Sequence, residues 1–318
     1  MRLLAFLLLA LGAAPGWVFA QYPARAIHIV APVPPSGAPD VAARVLGEKL
    51  SAQLGQPVVV DNRPGSNGNL AMDAVARAAP DGYTLGLFAD SNITINPYVY
   101  RKLPFDTQRD LVPIASVASN QFVLAINPAL PVKSFPEFVE YARAAKPPLA
   151  YASAGNGSQH HLTMEMLKTR AGIELLHVPY KGGAPATAAT VAGETAAMWA
   201  GSSNSGQIRA GRLRPLAVSG GQRSVQYPEL PTIAEFYPGF ENSIWLGLFA
   251  PAGTPEPVLG RLREEVKRAL ELPEVKGRLN HAGGLEPHVT THEEFLAIIR
   301  RDREKYAKVV KDLGIKIE

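Results

Sequence analysis

The chain has 318 residues, 47% of them hydrophobic, with 32 Lys plus Arg against 28 Asp plus Glu, a formal charge of +4 and no cysteine. That length supports one large or two medium domains with their own core, and the apolar fraction excludes a wholly disordered chain. The lack of cysteine excludes disulfides, covalent haem attachment, iron–sulfur clusters and zinc knuckles. The small, dispersed charge excludes the concentrated basic stripe of a nucleic-acid binder.

Arg2 precedes an apolar run from Leu3 to Leu11, then Pro15-Gly16 and the small-residue site Val18-Phe19-Ala20 before Gln21. This is the layout of a secretory signal peptide, residues 1–20, cleaved after Ala20. The run is shorter than the roughly 20 residues needed to span a bilayer, and no basic stop-transfer cluster follows. A large exported chain without disulfides points to a bacterial envelope protein that relies on its own core.

Strands and amphipathic helices then alternate. Ile27 to Val33 reads as a strand. Asp40 to Leu54 reads as a helix with Ala42, Leu46, Leu50 and Leu54 on its buried face and Gly55 as its stop. Val58-Val59-Val60 reads as a buried strand, Asn67 to Ala79 as a helix and Tyr83 to Phe88 as a strand, so a mainly parallel sheet is expected. Residues 92 to 110, with Asn96-Pro97 and Leu103-Pro104, read as a long surface excursion. Strands at 111–118 and 122–126 follow, and a second α/β unit of the same design occupies about 123 to 243. Ser134-Phe135-Pro136-Glu137, Thr232-Ile233-Ala234-Glu235 and Thr291-His292-Glu293-Glu294 have capping-box spacing, and Thr254-Pro255 reads as a cap with a first-turn proline. The C-terminal helices are expected to pack back on the first unit. The predicted fold class is α/β, with two α/β domains around a cleft: residues 22–122 plus 244–318, and residues 123–243. The chain crosses between them twice, and no repeat is readable as sequence identity.

Two turns sit between a strand and a helix start, Pro34-Pro35-Ser36-Gly37-Ala38-Pro39-Asp40 and Ala154-Gly155-Asn156-Gly157-Ser158-Gln159-His160-His161. The free amides and dipole of a helix start favour an anion, and two such turns across a cleft would hold a carboxylate from both sides. Asp40 reads first as an N-cap. Neither GxGxxG nor the P-loop sequence is present. Ser158 lacks a GxSxG elbow, and His160 and His161, about 100° apart on a helix, do not converge on one metal. No catalytic residue, metal site or cofactor is therefore expected. Tyr180 and Lys181 end another strand at the same edge, Lys181 reading as structural. The turns Asp90-Ser91-Asn92 and Gly201-Ser202-Ser203-Asn204 are polar and suited to lining a pocket.

The chain resembles the substrate-binding proteins of tripartite tricarboxylate transporters, the Bordetella-uptake-gene group that includes the TctC proteins. The motifs that carry the resemblance include Pro34-Pro35-Ser36-Gly37 with Asp40, the run from Leu54-Gly55-Gln56-Pro57 to Asn62-Arg63-Pro64-Gly65, and Pro80-Asp81-Gly82-Tyr83. Ala154-Gly155-Asn156-Gly157-Ser158, His177-Val178-Pro179-Tyr180-Lys181-Gly182 and Ala250-Pro251-Ala252-Gly253-Thr254-Pro255 complete the pattern. The resemblance implies a bilobed periplasmic-binding-protein fold of the Venus-flytrap, type II-like kind. It also implies a periplasmic protein that binds a small organic carboxylate for a two-component membrane permease; a monomer is expected, because the lobes must open and close and no exposed apolar helix is obvious. The implied ligand-binding residues are Pro35, Ser36, Gly37, Ala38 and Asp40 in the first turn and Gly155, Asn156, Gly157, Ser158 and His160 in the second. Specificity positions are implied at Asp90, Ser91, Asn92, Tyr180, Pro185, Ser202, Ser203 and Asn204. Ser36 stands where the family has Gly, Val33 where Phe is common, and His160 adds an imidazole beside His161. A ligand-sensing protein that signals to a membrane receptor and a secreted hydrolase or isomerase on the same lobes are the competing readings. A hydrolase would need a base within hydrogen-bond reach of the ligand.

Overall fold

The computed structural model describes residues 22–316. The predicted signal peptide and its cleavage site lie outside them. Strand β1 (Ile27–Ala31) leads to helix α1 (Ala38–Leu54), whose Ala42, Leu46 and Leu50 are buried and whose end is set by Gly55 at φ 68. Strand β2 (Val58–Asn62), helix α2 (Asn69–Ala76) and strand β3 (Thr84–Ala89) complete the first repeat. The β2 strand is partly exposed, with Val59 at 41%, because it pairs only with β1 at the sheet edge. Helix α2 starts two residues later than predicted because Asn67 and Gly68 take left-handed backbone angles.

The first part of the expected surface excursion, residues 92–99, is instead largely a buried connection, while most of residues 101–110 are exposed as expected. Helices α3 (Asp90–Thr94) and α4 (Asn96–Val99) bury Asp90, Ile93, Thr94, Ile95, Asn96 and Val99. The polar members are stitched together through Asn67, whose side chain donates to Asn96 Oδ1 at 2.8 Å, while Asn96 Nδ2 donates to Asn69 Oδ1 at 2.8 Å. Strand β4 (Leu111–Gln121) then crosses into the second unit at Phe122.

That unit runs β5 (Val123–Ile126), α5 (Phe135–Ala144), β6 (Leu149–Ser153), α6 (Gln159–Ala171), β7 (Leu175–Pro179), α7 (Gly183–Ala192), β8 (Ala197–Ala200), α8 (Ser205–Arg209) and β9 (Arg214–Val218). The chain returns on strand β10 (Ser243–Pro251). It ends through α9 (Glu256–Glu271), α10 (Pro273–Gly283), the short strand β11 (Glu286–Pro287) and α11 (His292–Leu313). Thr254 is not a cap: its hydroxyl donates to the Pro251 carbonyl at 2.8 Å, and the helix starts after Pro255. Pro273 cannot continue α9, so the chain restarts as α10, a helix the periodicity alone does not separate. The Thr291 capping box forms, with Glu294 N donating to Thr291 Oγ1 at 3.1 Å and Thr291 N to Glu294 Oε2 at 2.8 Å.

The two sheets repeat one design. The first has the order β11-β4-β10-β3-β1-β2 and the second β7-β6-β8-β5-β9. In each, three parallel strands (β2-β1-β3 and β7-β6-β8) are followed by an antiparallel strand from beside the crossing, so both sheets are mixed, not mainly parallel. One face of the first sheet packs Leu46, Leu50, Leu85, Leu262 and Val266, and the other packs Met72, Phe88, Trp245, Phe249 and Phe295. The second lobe is centred on Phe135, Phe138, Tyr151, Leu167 and Trp199. Helix α11 packs on the first sheet through Phe295 and Ile299, and its distal half joins Tyr306 and Val310 to Ile95, Val99 and Leu162 of α6, touching both lobes.

The crossings are held by Ser219. Its hydroxyl accepts from Phe122 N at 3.0 Å and donates to the Asn242 carbonyl at 2.6 Å, while its backbone bonds the same two residues. Replacing it with alanine strands two buried backbone groups, each costing about 1–3 kcal/mol. A Ser219→Ala variant is expected to show a lower urea midpoint of unfolding than the parent, and an unchanged midpoint would remove Ser219 from this role.

Candidate functional site

The carboxyl ends of β1, β3, β6 and β8 point into the cleft between the lobes, where ligand sites form in open α/β sheets. A cavity of about 380 Å³ lies there, lined from the first lobe by Ser36, Gly37, Ala38 and Ser91 and from the second by Ser158, Gln159, His160, Gly183 and Ser203. Three long helices begin at it. Helix α1 starts after Gly37 and α7 after Gly182, both without a side-chain cap, and α6 starts after Ser158, whose hydroxyl accepts only from His161 N at 3.3 Å. The first-turn amides of an α-helix have no intrahelical acceptor. Ala38, Gln159, His160 and Gly183 therefore bring open donors and the positive ends of three helix dipoles to one cavity.

The first turn is drawn onto α1 by Asp40. Its carboxylate accepts from Ser36 N at 2.8 Å, from Arg44 Nε at 2.9 Å and from Asn62 Nδ2 at 2.9 Å, and Asn62 also donates to the Val33 carbonyl at 2.9 Å. These bonds hold Ser36 at φ 72. Burial alone would raise the Asp40 carboxyl, yet the hydrogen bonds from Arg44, Asn62 and the Ser36 amide keep it below the ordinary range. Asp40 is not the N-cap, which is Gly37, and it does not line the cavity.

The second turn is built on imidazoles. His161 Nδ1 accepts from Gly157 N at 3.1 Å, and its ring stacks on His177 at 3.8 Å between centroids. His177 Nε2 shares a 2.6 Å hydrogen bond with Ser153 Oγ, which also takes the Gly155 amide at 3.1 Å. His160 turns the other way and lies over Phe122, 4.5 Å between ring centroids. Burial pushes both His160 and His161 down to about 4, so the neutral rings prevail at neutral pH.

Beneath the cavity a buried chain of polar groups joins the lobes. Gln159 Nε2 donates to Asp90 Oδ2 at 2.5 Å and lies 3.3 Å from the Tyr306 hydroxyl, which donates to Asn242 Oδ1, and Asn242 Nδ2 donates to Thr163 Oγ1. Asp90 is fully buried, and burial, reinforced by Asp302, pushes its carboxyl up to about 8.

Of the residues implied from sequence, Ser36, Gly37, Ala38, Ser91, Ser158, His160, Ser203 and Asn204 line the cavity. Asp40, Asp90, Asn92, Gly155, Asn156, Gly157, Pro35, Tyr180 and Pro185 do not, and most of them shape the turns behind it. Asn92 uses its side chain on Ala89 N and the Asn67 carbonyl, and Asn204 spends its own on Gly201 N and Thr187. Tyr180 instead bonds Ser153 through its backbone, and the carbonyls of Tyr180 and Ala154 both accept from Gly182 N. Ser202 sits in the short turn of 3-10 helix Ser202–Asn204. The sequence reading missed Asn67, Asn120, Phe122, Gln159, Ile244, Leu246 and Leu285 as lining residues. Gln159 was legible as the first residue of a helix at the site. Asn120, Phe122 and Ile244 lie at the crossings and carry no local signature.

The same geometry argues against covalent catalysis at Ser158, whose hydroxyl caps α6 while both neighbouring histidines are engaged elsewhere. Among the described residues no group of three His, Asp or Glu side chains is placed to hold a metal ion.

The family model described as tripartite tricarboxylate transporter family receptor matches residues 42–315. Protein BugT of Bordetella pertussis is 36% identical over 303 residues, covering 93% of this chain and 92% of its own. A solved structure described as that of a periplasmic transporter superposes with a TM-score of 0.83 at 36% identity, covering 93% of this chain and 100% of its own. The R. palustris protein Rpa4515, solved with adipate, superposes with a TM-score of 0.84 at 32% identity, covering 93% and 99%.

The imidazoles give a pH test with a definite sign. A histidine whose folded pKa lies near 4 and whose unfolded value is 6.5 contributes stability present above pH 6.5 and lost as pH falls toward 4. Asp90, raised from 3.8 to about 8, works the other way, favouring the fold at low pH and losing that contribution as pH rises through 8. The difference between variants isolates the first effect. Between pH 7 and pH 5 a His161→Gln variant is expected to lose less stability than the parent, by on the order of 1–2 kcal/mol in urea titrations. Equal losses would mean that His161 is charged in the folded protein.

Proposed function

The chain belongs to the tripartite tricarboxylate transporter receptor family, and from that premise we propose that its cleft captures a small organic acid through the open amides of α1, α6 and α7. Members of the family are periplasmic solute-binding receptors for transport, not enzymes. The observation that carries the proposal is the convergence of three helix starts on one cavity whose lining holds no Lys or Arg among the described residues. A carboxylate there is neutralised by oriented amide dipoles, with water excluded as the lobes close, and no single strong ion pair is required. The adipate in the R. palustris relative supports a carboxylate as the ligand. On this reading the signal peptide is cleaved after Ala20, and the loaded receptor delivers its acid to a two-component permease in the membrane. The two strand crossings serve as the hinge on which the lobes open.

The test is a thermal-shift and calorimetric screen of the chain from Gln21 against mono-, di- and tricarboxylates, acidic amino acids and aromatic acids. At least one acid is expected to raise the melting temperature and to bind stoichiometrically. A Gly183→Pro variant then removes one amide from the cavity at a position where proline suits a helix start and no atom crowds the added Cβ. A hydrogen bond to a charged group contributes roughly 1.5–3 kcal/mol, so the dissociation constant for that acid is expected to rise about 10- to 100-fold. An unchanged constant would take α7 out of the carboxylate site.

A further inference from the structure

The polar groups behind the cavity are divided unevenly between the lobes. Asp90 and Tyr306 stand on α3 and α11, which pack on the first sheet, whereas Gln159 opens α6 in the second lobe. Among the described residues the one side chain that donates to the Asp90 carboxyl is Gln159, at 2.5 Å. The other carboxyl oxygen, Oδ1, is buried without a partner. Asp90 is fully buried, and the first turn of α6 covers it from the second lobe, with Leu162 packed among Ile95, Val99 and Tyr306.

The neighbouring cations are committed elsewhere. On α11, Arg301 Nε and Lys305 Nζ lie 3.3 and 3.4 Å from Asp302 Oδ1, and Arg303 bonds the Thr107 hydroxyl at 3.0 Å. Burial raises the Tyr306 hydroxyl well above its ordinary range, and on α6 it pushes His160 down to about 4, so both are neutral at pH 7. Asp90 therefore has only the Ser91 amide and Gln159 as donors, with Asp302 opposing its charge and Lys305 offsetting it in part. A carboxyl buried in this way favours its neutral form, and burial, reinforced by Asp302, pushes Asp90 up to about 8. As the lobes part, Gln159 and Leu162 withdraw, water reaches the carboxyl, and its pKa returns toward the ordinary value of roughly 4. A ligand anion in the cavity, which Gln159 also lines, opposes a charge on Asp90 in the same direction.

We infer that closure of the lobes on the ligand takes up one proton at Asp90, so that the receptor loads an acid anion and a proton together. The inference rests on the carboxylate reading above and adds the regulation of that site. The proton comes from solvent and returns to it when the lobes open. Closure is favoured where the closed state binds more protons, so affinity is highest at low pH and falls as pH rises toward 8.

Calorimetry counts the proton directly. One acid from the screen, with a carboxyl pKa below about 5 so that it is ionised throughout, is titrated at pH 7 in buffers of different ionisation enthalpy. The apparent enthalpy is expected to rise with the buffer's ionisation enthalpy, with a slope of at least about half a proton per ligand. The dissociation constant is expected to rise roughly five- to tenfold from pH 6 to pH 7. A smaller slope with the acid bound overturns this inference and leaves the carboxylate reading standing. If no acid in the panel binds at either pH, both fall. An Asp90→Asn variant keeps an acceptor for Gln159 and has no proton to gain. Its uptake is expected to be less than half the parent's, and a larger uptake in a variant that melts cooperatively overturns the assignment to Asp90. Should that variant fail to fold, infrared difference spectra of the parent with and without the acid decide. A protonated-carboxyl band is expected to appear on binding, and its absence overturns the assignment.

Discussion

The open amides at the helix starts are the constraint around which the rest of the molecule is arranged. A backbone N–H needs a partner, and the first turns of α1, α6 and α7 have none within their helices. Each is placed at the carboxyl end of a parallel strand, and the two lobes turn those ends toward one another. Around the starts of α1 and α6 the side chains are committed to holding the turn, while the turn before α7 is held through the Gly182 amide. Asp40 and Asn62 fix the Ser36 turn, and His161 and Ser153 fix the Gly155–Ser158 turn. Mostly uncharged groups are left to face the cavity. The result is a cavity in which backbone polarity outweighs side-chain charge, with no Lys, Arg, Asp or Glu among its described lining residues.

The two lobes are one design used twice, and the structure ties them together in two different ways. The crossings are covalent and hydrogen-bonded, with Ser219 linking Phe122 to Asn242. The second tie is the buried chain Asp90–Gln159–Tyr306–Asn242–Thr163, flanked by Leu162, Ile95, Val99 and Val310. Gln159 belongs to both systems, since it bonds Asp90 of the other lobe and also starts α6 at the cavity. The residue that starts α6 at the cavity is thereby also one that bonds the two lobes together. Asp90 can serve there because burial favours its neutral form, in which a carboxyl needs no cation.

Much of the fold was legible because it is written in local periodicity. The α1 face at Ala42, Leu46 and Leu50, the Gly55 stop and the Thr291 capping box all follow from spacing and backbone preference. So did the two turns, since a restricted loop between strand and helix places amides at a sheet edge wherever it occurs. What misled was the chemistry of individual polar side chains. Asp40 has the residue type of a cap but works as a brace from within the first turn. Asp90 and Asn92 look like pocket liners, yet their side chains are largely spent on their own turn or on the partner lobe, and neither lines the cavity. Residues 92–110 looked like a loop because Asn96-Pro97 and Leu103-Pro104 interrupt them, whereas Asn67 and Asn69 from another segment hold Asn96 and allow the stretch 92–99 to be largely buried.

By itself the sequence determined the strand–helix alternation, the two equivalent turns and, through the order of its short motifs, the family. These are properties of contiguous residues, set by periodicity, proline and glycine geometry, and helix capping. Only the tertiary structure decided that β2 is an exposed edge, that β10 and β4 run antiparallel beside β3, and that Phe122, Ile244, Leu246 and Leu285 floor the cavity. Those facts depend on which strands become neighbours. Pairing between segments more than a hundred residues apart leaves no mark on either segment alone, because each strand presents the same apolar alternation whatever partner it finds.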